Sequence, residues 1–529
     1  MTSASELFTY LATILFLHAR PSFSLIPQHA VHNLPGGPSP LPHGPHYAGH
    51  LPFADGLYSS FYYLAPHPDP AKPLLVWMNG GPGASSLMGL FTELGPLLIN
   101  GQSRPRPNTT DTDWRLFQNP SAWSEEASLL VWEQPAGVGF SRCNDNSTSS
   151  KCRGVPERPW DCYSSADANL EFLQAFFQRY PEEAQRDLYI SGESYGGVYV
   201  PLLASRYMAA RARPTPPSKV ALPQLKGVAI GNGCIGFGVA GGCGMDTLEV
   251  LVAHLEAAVP DVSREVLRDV RASCGPDLAR GLGPEGPFQN VTCRPALRDL
   301  FHELGEYNVY NFDNTDTCGP EYQGNWGAGD TFACGGSALA DYLDQGDVQV
   351  ALHVITGGQE PVAWSKRQWD GRWSGYNITA ADVRPEMSAA VQANATMLIY
   401  NGLEDAAVPH QGAQGWVEGL FGHSITDHRR KWGSPPYGAL AGHVTTYVDG
   451  RVTYVTVRGA GHLVPADRPL PGRAMISAFL KGVPMPLYAG LPCQKVWTGR
   501  DYQSYCNGAG GEHSSNIDNA GSIDIPVVE

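Results

Sequence analysis

Gly192-Glu193-Ser194-Tyr195-Gly196 combines residue types at a spacing that suits nucleophilic chemistry. An apolar run at residues 186–192 (RDLYISG) leads into a serine flanked by glycines, and a helical pattern follows. Such glycines permit a turn too sharp for bulkier residues, which holds the serine hydroxyl clear at the strand's end. The hydroxyl is a weak nucleophile and needs a base, normally a histidine oriented by a carboxylate. Two acids, Glu404 and Asp405, follow the strand-like IYNG within residues 399–409, and His462 sits in the glycine-rich turn GAGHLVP after a late strand pattern. The chain has sixteen histidines, but only His462 occupies a turn of that kind. A developing oxyanion needs backbone N–H groups aimed at it. Tyr195 supplies one, and the glycine loop WMNGGPGASS at residues 77–86 is placed to supply another. No Lys-Ser/Thr pair follows those glycines, which sets aside a phosphate loop. Glu193 is the odd member, because a fixed negative charge beside the nucleophile would repel an oxyanion.

These groups require a scaffold. Short apolar runs at residues 72–80, 128–135, 186–192, 225–232 and 396–402 end in turn residues and alternate with helical patterns. Continuous apolar runs suit a mostly parallel sheet covered on both faces, and strand–helix alternation predicts an α/β fold. Residues 164–181 place Leu170, Leu173, Phe176 and Phe177 at helical spacing, with Ser164 and Asp167 as a capping box and Pro181 as the stop. Residues 233–345, rich in cysteine and glycine, read as an inserted lid over the active site. Strand patterns resume near residue 348, which divides the core into 45–232 and 346–490. Residues 491–529 form a C-terminal tail whose polar, glycine-rich end is expected to be disordered.

With 529 residues, the chain can bury one large core or two ordinary ones. Its net charge of −15 argues against nucleic acid or an anionic membrane surface as a partner. Residues 1–24 read as a secretory signal, with a short apolar segment at 7–19 followed by Ser22 and Ser24; the competing reading is a buried helix. No later run is apolar for the roughly eighteen residues that a membrane span needs. Sequons at Asn108, Asn146, Asn290, Asn377 and Asn394 and a total of eleven cysteines agree with export. An odd cysteine count leaves at least one thiol unpaired, and no cysteine–histidine spacing suits zinc, so no metal site is expected.

WMNGGPGASS, FTELGP (91–96), NPSAWS (119–124), WEQPAGVGFS (132–141), GESYGG (192–197), IGNG (230–233) and GAGHLVP (459–465) resemble motifs of the serine carboxypeptidases, secreted or vacuolar members of the α/β-hydrolase fold. They fall in the family's order. The resemblance implies Ser194, Asp405 and His462 as the catalytic triad, Asp405 rather than Glu404 matching the family's G-x-x-D pattern. It implies the N–H groups of Gly81 and Tyr195 as the oxyanion hole, with no metal or organic cofactor. It also implies a purpose for Glu193. In the family the elbow glutamate, a second glutamate, an asparagine and a backbone N–H receive the substrate's terminal carboxylate, and the matching positions are Glu193, Glu93, Asn79 and Gly80. Crowded carboxyl groups cannot all ionise cheaply, so one stays protonated and donates; at high pH it becomes a repelling anion.

The resemblance has departures. Ala84 stands where the family usually has a cysteine bonded to the chain near the end of the inserted region, which leaves Cys334 to pair with Cys318. Cys234–Cys243 and Cys274–Cys293 resemble the family's lid disulfides, and Cys493–Cys506 is a local pair. Cys143, Cys152 and Cys162 are expected to hold one bridge and the spare thiol. Leu463 and Pro409 replace the usual methionine and asparagine, leaving side-chain preference open. The implied activity is acid carboxypeptidase action on peptide or protein C-termini, by a monomer or homodimer in the secretory pathway, extracellular or vacuolar/lysosomal. One alternative is an acyltransferase on the same scaffold, whose plant representatives tend to carry aspartate in place of Glu193. The other is a non-catalytic binding or protective protein, which an intact triad opposes.

Overall fold

The computed structural model describes residues 27–489, apart from internal segments of which the longest are 106–112, 145–151, 279–290, 312–334 and 365–374, together with two paired strands at 494–497 and 502–505. The expected signal at 1–24, the polar C-terminal end, the cysteines Cys318, Cys334, Cys493 and Cys506, and the sequons at Asn108, Asn146 and Asn290 lie outside the described residues.

A large twisted sheet runs through the molecule. Its main path consists of β1 (Ala30–Val31), β2 (His46–Phe53), β3 (Tyr58–Ala65), β4 (Leu74–Met78), β5 (Ser128–Trp132), β6 (Leu188–Glu193), β7 (Leu225–Gly231), β8 (Thr396–Gly402), β9 (Ile425–Ser434), β10 (Ala439–Tyr447) and β11 (Val452–Val457), and a short strand at Arg142–Cys143 pairs with β3 off this path. Their spatial order is β1-β2-β3-β5-β4-β6-β7-β8-β11-β10-β9. The central six, from β5 to β11, pair in parallel, and antiparallel strands extend both flanks. Every residue of β4 and β5 is buried. Leu74, Val76 and Met78 face one core, and Leu75 and Trp77 face the other. Burial on both faces is why these strands are apolar throughout rather than at alternate positions.

Helix α1 (Cys162–Arg179) lies on the first core and buries Phe172, Leu173, Phe176 and Phe177. Each such side chain contributes about 2–3 kcal/mol by leaving water. The capping box differs from the expected one. Asp161 accepts from the Tyr163 and Ser164 N–H groups, and Ser164 Oγ accepts from Asp161 N–H. The helix therefore starts earlier, with Ser164 as the returning partner and not as the cap. Leu170 is only partly buried at the edge of this core.

Between β7 and β8, the helices α3 (Leu248–Ala258), α4 (Arg264–Cys274) and α5 (Cys293–Leu304) bury Leu251, Leu255, Leu267, Val270, Leu297 and Leu300 in a small separate core. Ala406, next to Asp405, belongs to the same cluster. The helix Gly335–Leu343 instead buries Leu339, Tyr342 and Leu343 in the second main core, and Gly346–Ala351 is helical where strand was expected. Disulfides join Cys143 to Cys152, Cys234 to Cys243 and Cys274 to Cys293, while Cys162 is a buried free thiol. Among the described residues, no helix is long and apolar enough to cross a membrane.

Candidate active site

Strand β6 stops at Glu193, and Ser194 takes φ 57°, a left-handed conformation that strains a residue with a side chain. Three backbone bonds hold it there. Ser194 N–H donates to the Gly231 carbonyl at 3.0 Å, and its own carbonyl accepts from Gly197 and Cys234, each at 2.9 Å. The turn has no room for side chains, since a Cβ on Gly192 would lie 2.7 Å from the Met78 carbonyl oxygen. Helix α2 (Gly196–Arg211) starts immediately beyond.

Asp405 follows β8 and is fully buried. Its Oδ1 accepts from Ala407 N–H at 2.8 Å and Val408 N–H at 3.2 Å. Its Oδ2 accepts from Asn232 Nδ2 at 2.7 Å and lies 2.7 Å from His462 Nδ1. A carboxylate at that distance places the imidazole proton on Nδ1 and leaves Nε2 free to act as a base. Glu404 turns away and accepts from Gly459 N–H at 3.1 Å. The geometry thus separates two acids adjacent in sequence. Ser194 Oγ makes no hydrogen bond to His462 among the described residues; such bonds commonly tighten only when a substrate is bound.

The loop after β4 runs against the elbow. A Cβ on Gly80 would overlap the Tyr195 nitrogen and crowd Ser194 Cβ. Only glycine allows that approach, and it brings the loop's backbone at Gly80 against the Tyr195 peptide nitrogen. Tyr199 Oη accepts from Gly83 N–H at 3.1 Å and ties the loop to α2.

Beside Ser194 lies a buried carboxyl cluster. Asn79 Nδ2 donates to Glu193 Oε1 at 2.8 Å and to Glu93 Oε1 at 3.3 Å. Asn79 Oδ1 accepts from Trp77 Nε1 at 2.9 Å and Gly89 N–H at 3.0 Å, which fixes the amide with its nitrogen toward the glutamates. Glu93 and Glu193 are 2% and 3% exposed. Burial pushes the Glu93 carboxyl up to about 7, against hydrogen bonds from Glu193 and Asn79 that pull it down. Burial also raises Glu193 well above the ordinary carboxyl range, and the Glu93 charge adds to the rise. Two dry carboxyls gathered on one amide cannot both ionise cheaply, which favours the neutral form of at least one.

Several residues here escaped the sequence reading. Asn232 lay within a quoted motif but had no role until its bond to Asp405 was seen. Glu133, fully buried and raised to about 7 by burial, accepts from Ser85 Oγ, Trp364 Nε1 and Phe140 N–H, so it joins the glycine loop to the segment after β5. Cys162 Sγ lies 3.0 Å from Tyr195 Oη, beneath the elbow. Asn377 and Asn394 are exposed.

A nucleophile elbow on a parallel sheet, followed by an acid and then a histidine on later strand ends, defines an α/β-hydrolase. The family model described as serine carboxypeptidase matches residues 35–482. The chain belongs to the serine carboxypeptidase family and is a serine-type hydrolase of that family. It is 30% identical over 487 residues to serine carboxypeptidase-like 26 of Oryza sativa subsp. japonica, covering 86% of this chain and 90% of that one. It is 28% identical over 514 residues to serine carboxypeptidase ctsa-4.1 of Caenorhabditis elegans, covering 91% and 98%. The solved Kex1 structure, a prohormone-processing carboxypeptidase from Saccharomyces cerevisiae, shares the fold with a TM-score of 0.62 at 20% identity, covering 90% of this chain and 98% of that one.

Proposed function

We propose that the protein removes C-terminal residues from peptides at acid pH through an acyl-enzyme on Ser194. The observation that carries this reading is the Asn79–Glu93–Glu193 cluster immediately beside the candidate nucleophile. An ester or amide hydrolase with no terminal carboxylate to bind has no use for two dry carboxyls there. A protonated glutamate, the Asn79 amide and the Gly80 N–H together make a donor set for a carboxylate.

The reaction follows from the positions. The substrate's terminal carboxylate sits on that donor set, which places the last peptide bond over Ser194. Ser194 Oγ attacks the scissile carbonyl while His462 Nε2 takes its proton, and Asp405 steadies the imidazolium. The Gly81 and Tyr195 N–H groups receive the oxyanion. His462 then protonates the leaving amine, and water, activated by the same imidazole, releases the acyl group. Acyl transfer would use the same triad, but Glu193 in the elbow favours the peptidase. Passage through the secretory pathway, with residues 1–24 removed and glycans on Asn377 and Asn394, is part of the proposal. Incubation with a blocked dipeptide, its C-terminal amide and an acyl glucose tests it: rapid cleavage of the free acid supports the reading, and turnover of the acyl glucose alone overturns it.

A further inference from the structure

Gly461, the residue before His462, donates its N–H to Asp467 Oδ2 at 2.7 Å, and the same oxygen accepts from Asn311 Nδ2 at 3.0 Å. Tyr310, beside Asn311, accepts the His462 N–H on its carbonyl at 2.6 Å, and its ring centroid lies 4.8 Å from the imidazole. A Cβ on Gly461 would overlap that carbonyl, so the segment rests directly on the glycine. Two successive N–H groups of the histidine turn are therefore held, one by the Asp467 carboxyl and the next by the Tyr310 carbonyl, and Asn311 ties that carboxyl to the Tyr310 segment. A glycine-rich turn has much conformational freedom of its own, so its shape is set by what its N–H groups bind.

We propose that Asp467 and Asn311 are positioning residues for the catalytic histidine. Asp467 Oδ2 gathers the Gly461 N–H and the Asn311 amide, and so fixes both the peptide that carries His462 and the Tyr310 carbonyl that receives its N–H. The inference rests on the proposed role of His462. Neither residue reaches the reacting atoms.

The arrangement tolerates acid. Burial raises the Asp467 carboxyl to about 6, and the bonds from Gly461 and Asn311 hold it down. The charged groups that face it are Asp405, His462, Glu93 and Arg468. A protonated carboxyl keeps its carbonyl oxygen as an acceptor, so both bonds survive in either charge state. Asparagine at this position reproduces the neutral acceptor, and alanine removes it.

The test compares Asp467→Ala, Asp467→Asn, Asn311→Ala and the double alanine variant in the full chain, measuring kcat and KM on a free-acid blocked dipeptide and fluorophosphonate labelling of Ser194. Loss of position should lower kcat about ten- to a hundredfold in each alanine variant, with KM within about threefold of the parent. The double variant should fall no further than Asp467→Ala, and Asp467→Asn should stay within about threefold of the parent. Parental kcat in the alanine variants, a multiplicative loss in the double variant, or an asparagine variant as poor as the alanine one overturns the positioning role. If Asp467→Ala does not fold, Asn311→Ala and Asp467→Asn decide by the same criteria. A parent that neither labels nor turns over overturns the triad itself, an outcome distinct from failure of the positioning role alone.

Discussion

Asn79 presents its amide nitrogen to Glu193 at 2.8 Å because its carbonyl is occupied by Trp77 and Gly89. An amide pinned in that sense can only donate toward the carboxyl cluster. Under the proposed function the acid in the nucleophile elbow, held by this amide, contributes to a donor surface for the substrate's terminal carboxylate.

Ser194→Ala removes only a hydroxyl from a turn held by backbone bonds. Turnover of a blocked dipeptide should fall by at least about 10⁴-fold, with the thermal midpoint nearly unchanged. Parental turnover in a folded variant contradicts the nucleophile.

Asp405→Asn should lower kcat by roughly 10⁴-fold, since the amide no longer holds the Nδ1 proton of His462 as a carboxylate does. Glu404→Gln should lie within a few-fold of the parent, because Glu404 accepts from Gly459 N–H while Asp405 is the acid beside His462. The reverse order of severity in steady-state kinetics would reassign the acid.

The Cys274–Cys293 bridge joins α4 to α5 across 19 residues in the helical insertion. Replacing both cysteines with serine should cost about 2–4 kcal/mol by the usual loop-closure effect. The loss should appear first as faster amide exchange across residues 248–304. Unchanged exchange there would show that the bridge does not stabilise the unit.

Stability should decline as pH rises. Glu93 and Glu133 are raised to about 7 and Asp467 to about 6, from ordinary values of 4.5, 4.5 and 3.8. Between the unfolded and folded values the native state binds more protons, so the unfolding free energy falls with increasing pH. The contribution is full below about 4 and lost on passing 6 to 7. Thermal midpoints measured across that window should drop, and Glu133→Gln should flatten part of the slope. A midpoint that climbs through the window contradicts the burial of neutral carboxyls.

Much of this site was legible in the chain. Gly192 through Gly196 announced an elbow through local chemistry alone, and the buried strands announced themselves as unbroken apolar runs. Contacts made across long separations were not legible. Glu404 and Asp405 are equivalent by type; the family resemblance picks Asp405, and the bonds to Asn232 and His462 supply the physical reason. The Asp467–Asn311 pair spans 156 residues, with no periodicity to betray it. Local competition misled elsewhere: Ser164 can cap or return a cap, and Asp161 took the first role. Val348 and Val350 fit a strand as well as a helix until Val348 is packed into the second core.

The decisive measurement is kcat/KM for a blocked dipeptide as the free acid and as the amide, from about pH 5 to about pH 8, in the parent and in Glu193→Gln and Glu93→Gln. Each hydrogen bond to the charged terminus is worth roughly 1.5–3 kcal/mol, about ten- to a hundredfold in kcat/KM. The parent should prefer the free acid strongly at acid pH and lose that preference as the glutamates ionise. The glutamine variants, whose donors cannot ionise, should show a smaller decline across the range. The amide substrate should depend little on either residue. Glutamine variants that keep both the parental pH profile and the parental preference for a free carboxylate would contradict the role assigned to Glu193 and Glu93.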